Sequence, residues 1–404
     1  YSKKDNKKSF RKTWFKKKIS TRFVSRSLIM NKNYFQKRNL SIADKILAFD
    51  FILLFLILLL GIISLFAMYS SERGVFSYHT QNHLYRLVVF FSLFIIVSFF
   101  NIGYIYKTTY IFYFLILILL FAVDSLGVTA SGSKRWINLF FVNLQPSELM
   151  KVSLIVFLAR YYYKVPSQSV NNIKYIIIPF LSFIIPVFLV LNQPDLGTAI
   201  LIAISGLIVI WLTGFRIKYF LYSFFILTCL TPVAIAFLKP YQKARILTFL
   251  NPERDPLGAG YQIIQSKIAV GSGGIFGKGF LQGSQSYLDY LPEKHTDFIF
   301  TLFSEEFGFL GSLTLLLIYA LIIYRISKIG RESRNNFARL FCFGFAGAFF
   351  VYVTVNMSMV LGLLPIVGAP LPIMSYGGSS MLSIMIGLGI VMSCKIYNRD
   401  EIWR

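Results

Sequence analysis

The chain has 404 residues, of which 56% are hydrophobic, 17% aromatic and only 14% charged, and it carries a formal net charge of +24. A soluble globular chain uses about 25% charged residues, and apolar runs of about 18 or more residues, each able to cross a hydrocarbon core of about 30 Å as a helix, recur along most of this one. The positive charge does not mark a nucleic-acid binder: 15 of the 41 Lys and Arg lie before residue 46, as a basic tail beside the first apolar run, which is the pattern of a cytoplasmic anchor.

Lipid satisfies no stray backbone amide, so the expected fold is an all-α integral membrane protein. The alternating short segments of a β-barrel are absent from the sequence. About ten spans are expected, near 47–68, 84–101, 104–127, 147–163, 174–192, 196–213, 218–238, 298–326, 338–363 and 373–397. Residues 1–46 form the basic tail, and 47–404 the polytopic domain. The chain opens with Tyr1 rather than Met, and Met30 is a candidate start. Basic connections such as RYYYKVPSQSVNNIK and YRISKIGRESRNNFAR put both termini on the cytoplasmic side of the membrane. Between spans seven and eight, residues 239–297 form an extracytoplasmic loop with seven Lys or Arg. Such a charged loop on the translocated face argues for a task beyond topology. Cys229, Cys342 and Cys394 fall in apolar runs and have no metal or disulfide spacing.

Several polar stretches stand out in chain order. SGSKRWINLF places Lys134 and Arg135 at the outer surface. In NLQPSELMK, Pro146 suits a first helical turn, and Glu148 and Lys151 share one face; the pair is either structural or an aimed cation. LNQPDLG repeats the grammar with Pro194 and Asp195. In the outer loop, Tyr241, Gln242, Arg245, Gln265, Ser266 and Lys267 suit sugar hydroxyls and phosphates, or are solvated loop residues. GSGGIFGKGF fails both nucleotide-binding glycine patterns, so no nucleotide is expected and a flexible surface loop is. In HTDFIFTLFSEEFGFLG, Thr296 or Asp297 is either a helix cap or an acid at the membrane boundary, able to accept a proton or bind a metal. Glu305 and Glu306 lie about 12–14 Å further in. Acids at that depth are functional candidates or half of a buried ion pair with another span. Three prolines and Gly377-Gly378 in LLPIVGAPLPIMSYGGSS predict an irregular or re-entrant segment, with Ser375 near a helix N-terminus that could face an anion.

GSKRWINLFFVNLQPSELMK, QPDLGTAILIAISG, YQKARILTFLNPERDPLGAGYQIIQSKIAVGSGGIFGKGF, LPEKHTDFIFTLFSEEFGFLG and LPIVGAPLPIMSYGGSS together resemble the SEDS family (RodA/FtsW/SpoVE), in that family's order. Val367-Gly368 and IAVGSGG resemble its elongation (RodA-like) branch more than the division (FtsW-like) branch. The resemblance implies a peptidoglycan glycosyltransferase that polymerises lipid II at the outer face of the cytoplasmic membrane during cell elongation. It implies a class B penicillin-binding protein and elongation-complex proteins as partners, and it puts the essential acid on Asp297. On this reading Asp297 is a base or the ligand of a divalent cation, Mg or Mn. Arg135, Lys151 and Arg245 face phosphate, and Glu148 positions Lys151. Arg73 and Arg86 are further phosphate candidates. A lipid II flippase is the rival, because buried Glu305, Glu306 and Lys151 also suit transport.

Overall fold

The computed structural model describes residues 41–130, 133–138, 143–223, 225, 228–229, 240–254, 258–284 and 294–398. The contacts divide the chain into Tyr1–Leu47 and Ala48–Arg404. In the smaller unit, helix α1 (Ile42–Leu47) opens with Ser41 and Asp44 each accepting the other's amide, at 3.1 and 3.2 Å. The rest of the basic tail, Met30 included, and most of the expected seventh span lie outside the described residues.

The larger unit is a helical membrane domain. Its elements are α2 (Phe51–Ser71), α3 (Tyr78–Phe99), α4 (Ile102–Leu126), strands β1 (Val128–Ala130), β2 (Ser133–Asn138) and β3 (Asn143–Leu144), α5 (Pro146–Lys164), α6 (Ile177–Asn192), α7 (Leu196–Leu212), α8 (Pro240–Leu250), α9 (Ala259–Ser272), α10 (Ile299–Glu332), α11 (Asn336–Val360) and α12 (Gly378–Ile396). Among the described residues, seven helices are long and apolar enough to span a bilayer: α2, α3, α4, α6 with its preceding turn, α10, α11 and α12. Two of the ten expected spans form as helices outside that set. The α5 helix carries Glu148, Lys151, Arg160 and Lys164, and α7 has 17 residues. Short polar residues start the helices. The Asp50, Asn101, Asp195 and Asn335 side chains accept from the amides of Leu53, Gly103, Thr198 and Phe337.

Burial sorts the helices into layers. Every residue of α5 from Pro146 to Ala159 is buried, although the helix is not especially apolar. It packs against α4, α7, α11 and α12 and forms the centre of the domain. Large side chains such as Phe55, Phe66, Ile111, Phe114 and Phe121 project outward from α2 and α4, as a lipid-facing surface requires. The small antiparallel sheet, in order β1-β2-β3, links α4 to α5 and was not foreseen from the sequence.

Two irregular stretches sit inside the apolar frame. Residues 361–377 carry no helix, yet Ala369, Leu371, Ile373 and Met374 are buried. Helix side chains satisfy their carbonyls: Asn356 donates to Ala369 O (2.7 Å), Tyr319 to Pro372 O (2.7 Å) and Ser64 to Ile373 O and Met374 O (3.2 and 3.3 Å). This is the condition under which non-helical backbone persists at membrane depth, and it bears out the irregular segment read from the prolines. The second is a break in α10 at Gly308 (φ 64°, ψ −160°). The glycine run 273–279 packs against that break with its backbone hydrogen-bonded to it. The expectation of a flexible surface loop is therefore corrected. A Cβ on Gly273 would meet Ser304 O at 2.2 Å, and one on Gly277 would meet Glu306 O at 2.0 Å, so glycine is needed for close backbone approach.

Candidate active site

The ends of α2, α4 and α11 and the starts of α3, α5, α7, α10 and α12 share one end of the bundle, because successive spans alternate in direction. Nearly all the sequence-derived candidates collect there.

Asp297 is half-buried in the turn that enters α10. It is not the cap of that helix: Phe298 occupies the cap position, and no side chain bonds there. The Asp297 main-chain carbonyl accepts from Asn356 Nδ2 at 2.9 Å. Its Oδ2 lies 3.6 Å from the point where a Cβ on Gly368 would stand, so the carboxylate faces the irregular segment 361–377 across a glycine.

Glu148 and Lys151 are both buried and paired at 2.7 Å. Lys151 Nζ also sits 4.0 Å over the ring of Tyr352, whose hydroxyl donates to Glu148 Oε2 at 3.4 Å. The pair is thus a desolvated unit, with the ammonium held by a carboxylate and an aromatic face. Tyr352 and Asn356 lie one turn apart on α11, and Tyr352 packs with Ala369 and Leu201. One helix face therefore connects the Glu148–Lys151 pair to the Asp297 turn.

Arg135, on β2, reaches Pro194 O at 2.9 Å and Asp195 Oδ2 at 3.3 Å, and its side chain keeps 23% of its exposure. Asp195 also accepts from Gln145 Nε2 (3.2 Å) and caps α7. Gln145 N donates to Ser379 Oγ, which donates in turn to Asn143 O. Helix α5, opened by Pro146, and α7, capped by Asp195 with Pro194 before the cap, are so joined to the start of α12.

The other candidates are placed less directly. Ser375 is buried, and its hydroxyl accepts from Leu371 N at 2.7 Å, which closes a turn of the irregular segment. Gln265 is half-buried and Lys267 exposed on α9. The Lys267 stem crosses Gly362 so closely that a Cβ there would meet Cε at 2.1 Å. Between them Ser266 is fully buried and bonds Thr301 Oγ1 and Val360 O, tying α9 to α10 and α11. Arg245 is half-buried on α8. Glu305 and Glu306 are buried, and the partner of Glu305 is Lys278 of the glycine run, at 2.6 Å, rather than a base on another span.

The sequence reading passed over a cluster beside His295. All three histidines of the chain meet there. The His79 and His295 rings are 4.3 Å apart, and the Tyr376 ring is 5.0 Å from His79 and 6.4 Å from His83. Ser71 Oγ bonds His295 Nδ1 at 2.8 Å, and Tyr376 N donates to His295 O at 2.8 Å. Arg86 lies 4.3 Å over the Tyr376 ring, beside Gly378 at the start of α12. Glu72 accepts from the His79 and Thr80 amides and the Thr80 hydroxyl at 2.6–3.0 Å. A usable signal existed: the whole histidine complement falls at two predicted membrane boundaries, just before the second and eighth spans.

Among the described residues no three His, Cys, Asp or Glu side chains converge as a metal cage. Asp297 is a single carboxylate at an open turn. That suits Mg²⁺, which usually binds one or two carboxylates and completes its shell with water and substrate phosphates.

A bundle of long apolar helices around a charged, hydrogen-bonded centre near one end defines a multi-pass membrane protein with a polar site at its boundary. A family model described as cell cycle protein, of the FtsW, RodA and SpoVE type, matches residues 45–400. The peptidoglycan glycosyltransferase MrdB of Escherichia coli K12 is 44% identical over 291 residues, covering 71% of this chain and 77% of that protein. Stage V sporulation protein E of Bacillus subtilis 168 is 33% identical over 363 residues, covering 87% of this chain and 98% of its own. A chain of a peptidoglycan synthase complex superposes with a TM-score of 0.76 at 32% identity, over 87% of this chain and 99% of that one. The rod shape determining protein RodA of Thermus thermophilus gives 0.65 at 26% identity, over 88% and 99%. The chain belongs to the FtsW/RodA/SpoVE family.

Proposed function

We propose that this chain is the peptidoglycan glycosyltransferase of cell elongation, polymerising lipid II at the outer face of the cytoplasmic membrane with both termini inside. Its 44% identity to MrdB, a peptidoglycan glycosyltransferase by name, supports the activity and the elongation branch. The observation that carries the site assignment is the placement of the half-buried Asp297 carboxylate against Gly368, on the α11 face that also holds the Glu148–Lys151–Tyr352 unit. Glycosyl transfer needs a base for the incoming sugar hydroxyl and positive charge near the departing pyrophosphate. Asp297 takes that proton. Arg135, still partly exposed beside Asp195, and Arg86, beside the N-terminus of α12, face the phosphates. Lys151 is engaged by Glu148 and Tyr352, so its charge acts through a fixed field rather than by reaching out. Arg245, Gln265 and Lys267 contribute sugar or phosphate contacts from the outer loop. In the alternative role, Asp297 would hold a divalent cation that neutralises pyrophosphate charge. The donor is already activated, so no nucleotide is required.

The neighbouring structure from a synthase complex that polymerises and crosslinks supports a transpeptidase partner of the class B penicillin-binding type. The test is polymerisation of lipid II by the purified full-length chain with Mg²⁺, with and without chelator. Wild type makes glycan and Asp297→Asn does not. Normal polymerisation by Asp297→Asn overturns the assignment, and translocation of lipid II across liposomes with no glycan made supports the flippase instead.

A further inference from the structure

Helix α10 begins at Ile299, with Phe298 as its cap and Asp297 just before it, and breaks at Gly308. A break strands the carbonyls before it and the amides after it, and inside a membrane domain the protein itself must satisfy them. Here one short segment does so. Lys278 N and Gly279 N donate to the carbonyls of Glu305 and Glu306 at 3.0 Å each. Phe309 N and Leu310 N donate to Gly274 O and Ile275 O at 2.9 and 3.1 Å. A Cβ on Gly308 would lie 2.3 Å from Gly277 N, so segment and break fit backbone to backbone.

The side chains lock the same joint. Lys278 Nζ lies 2.6 Å from Glu305 Oε1 and 2.8 Å from Ser284 Oγ, which bonds the same carboxylate oxygen at 3.1 Å. Glu305 is fully buried, where a carboxylate needs partners, and that ammonium is one of them. The adjacent Glu306 accepts from Ser70 of α2. At its other end the segment continues from α9, which is tied to the first turn of α10 through Ser266 and Thr301 at 2.9 Å.

We propose that residues 273–284 are a clamp that orients the short half-helix Ile299–Phe307, and with it Asp297, and that Lys278 and Glu305 are positioning residues for glycosyl transfer. The inference rests on the reading of Asp297 as the reacting carboxylate. Neither residue touches substrate. Each acts by fixing the half-helix whose first turn follows the acid. A displacement of about 1 Å at a reacting group costs up to about 100-fold in rate, so a joint this close to Asp297 in the chain has leverage on turnover without binding anything.

The experiment compares lipid II polymerisation by the full-length chain and by Lys278→Met, Lys278→Arg, Ser284→Ala and Asp297→Asn. Hydrogen exchange of the 294–310 peptide is followed in parallel. Lys278→Met should lower kcat about 10-fold or more with KM within about twofold, and raise exchange at Phe309 and Leu310. Lys278→Arg should restore most of the rate, and Ser284→Ala should fall between. If Lys278→Met does not fold, the Ser284→Ala and Lys278→Arg series carries the comparison. Wild-type kcat in Lys278→Met or Ser284→Ala overturns the clamp. So does a loss in which kcat and KM change together and arginine gives no rescue. Activity in Asp297→Asn instead overturns the reading of the acid, which separates the two failures.

Discussion

The Asn356 amide joins the Asp297 turn to the irregular segment: its Nδ2 donates to Asp297 O at 2.9 Å and to Ala369 O at 2.7 Å. Asn356 is fully buried on α11, one turn beyond Tyr352, so a single side chain fixes the acid-bearing turn relative to the Glu148–Lys151 unit. Replacement by leucine takes this donor from the buried Ala369 carbonyl, at about 1–3 kcal/mol, and from the half-buried Asp297 carbonyl. Asn356→Leu should lower the thermal midpoint in detergent and reduce polymerisation more than lipid II binding. Unchanged turnover in a folded variant would show that the turn is held by other contacts.

The Glu148–Lys151 pair gives a double-mutant test. Both side chains retain only 3% exposure. Lys151→Met strands a buried carboxylate, and the expected destabilisation is about 3–5 kcal/mol. Glu148→Gln with Lys151→Met should be less destabilised than the single lysine variant, since no uncompensated charge remains. Melting curves of the three proteins measure this. If the double variant is stable but inactive, the pair's field serves catalysis as well as folding.

Glu72, just beyond the end of α2, predicts an acid limit. Burial raises its carboxyl, but hydrogen bonds from the Ser77 and Thr80 side chains and the Thr80 and His79 amides outweigh this and hold it at about 2. A carboxylate depressed in the folded state contributes stability that is complete above its ordinary value near 4.5 and is lost as pH falls toward 2. Thr80→Val should shift the acid-unfolding midpoint upward and leave stability at pH 7 lowered. An unmoved midpoint would place the acid limit at another carboxylate.

Gly308 has φ 64° and no room for a Cβ against Gly277 and Ile275. Gly308→Ala should cost about 1–3 kcal/mol from the backbone alone, with the clash adding to it. Gly271, with open space around it, is the control: Gly271→Ala should fold normally. Expression and melting temperature of the two variants decide between local strain and general intolerance of this loop.

Much of the frame was legible. Among the described residues, apolar runs gave nine of the expected spans with each end within six residues, and Pro146 opened α5 where its missing amide is harmless. The prolines around Leu364–Pro372 marked backbone that could not continue as helix, and it does not. The resemblance of five motifs pointed to the family that the matches over residues 45–400 establish. What stayed hidden were contacts between distant segments. Nothing local to GSGGIFGKGF says that it will dock on a helix break 30 or so residues onward, because its glycines read equally well as freedom or as close approach. The histidines stood at predicted boundaries, but nothing local said that His79 and His83 would meet His295, which lies far from them in the chain.

The sequence alone determined the class of solvent around the chain, since hydropathy is a sum over neighbouring residues. Motif resemblance singled out Asp297 as the candidate acid. Only the tertiary structure decided the partners of the buried charges: Lys151 with Glu148 and Tyr352, Arg135 with Asp195, Lys278 with Glu305. In a low-dielectric interior a charge is tolerable only beside its counterpart, and apart from the Glu148–Lys151 neighbours on one helix, that pairing is set by how the helices pack rather than by how they are spelled.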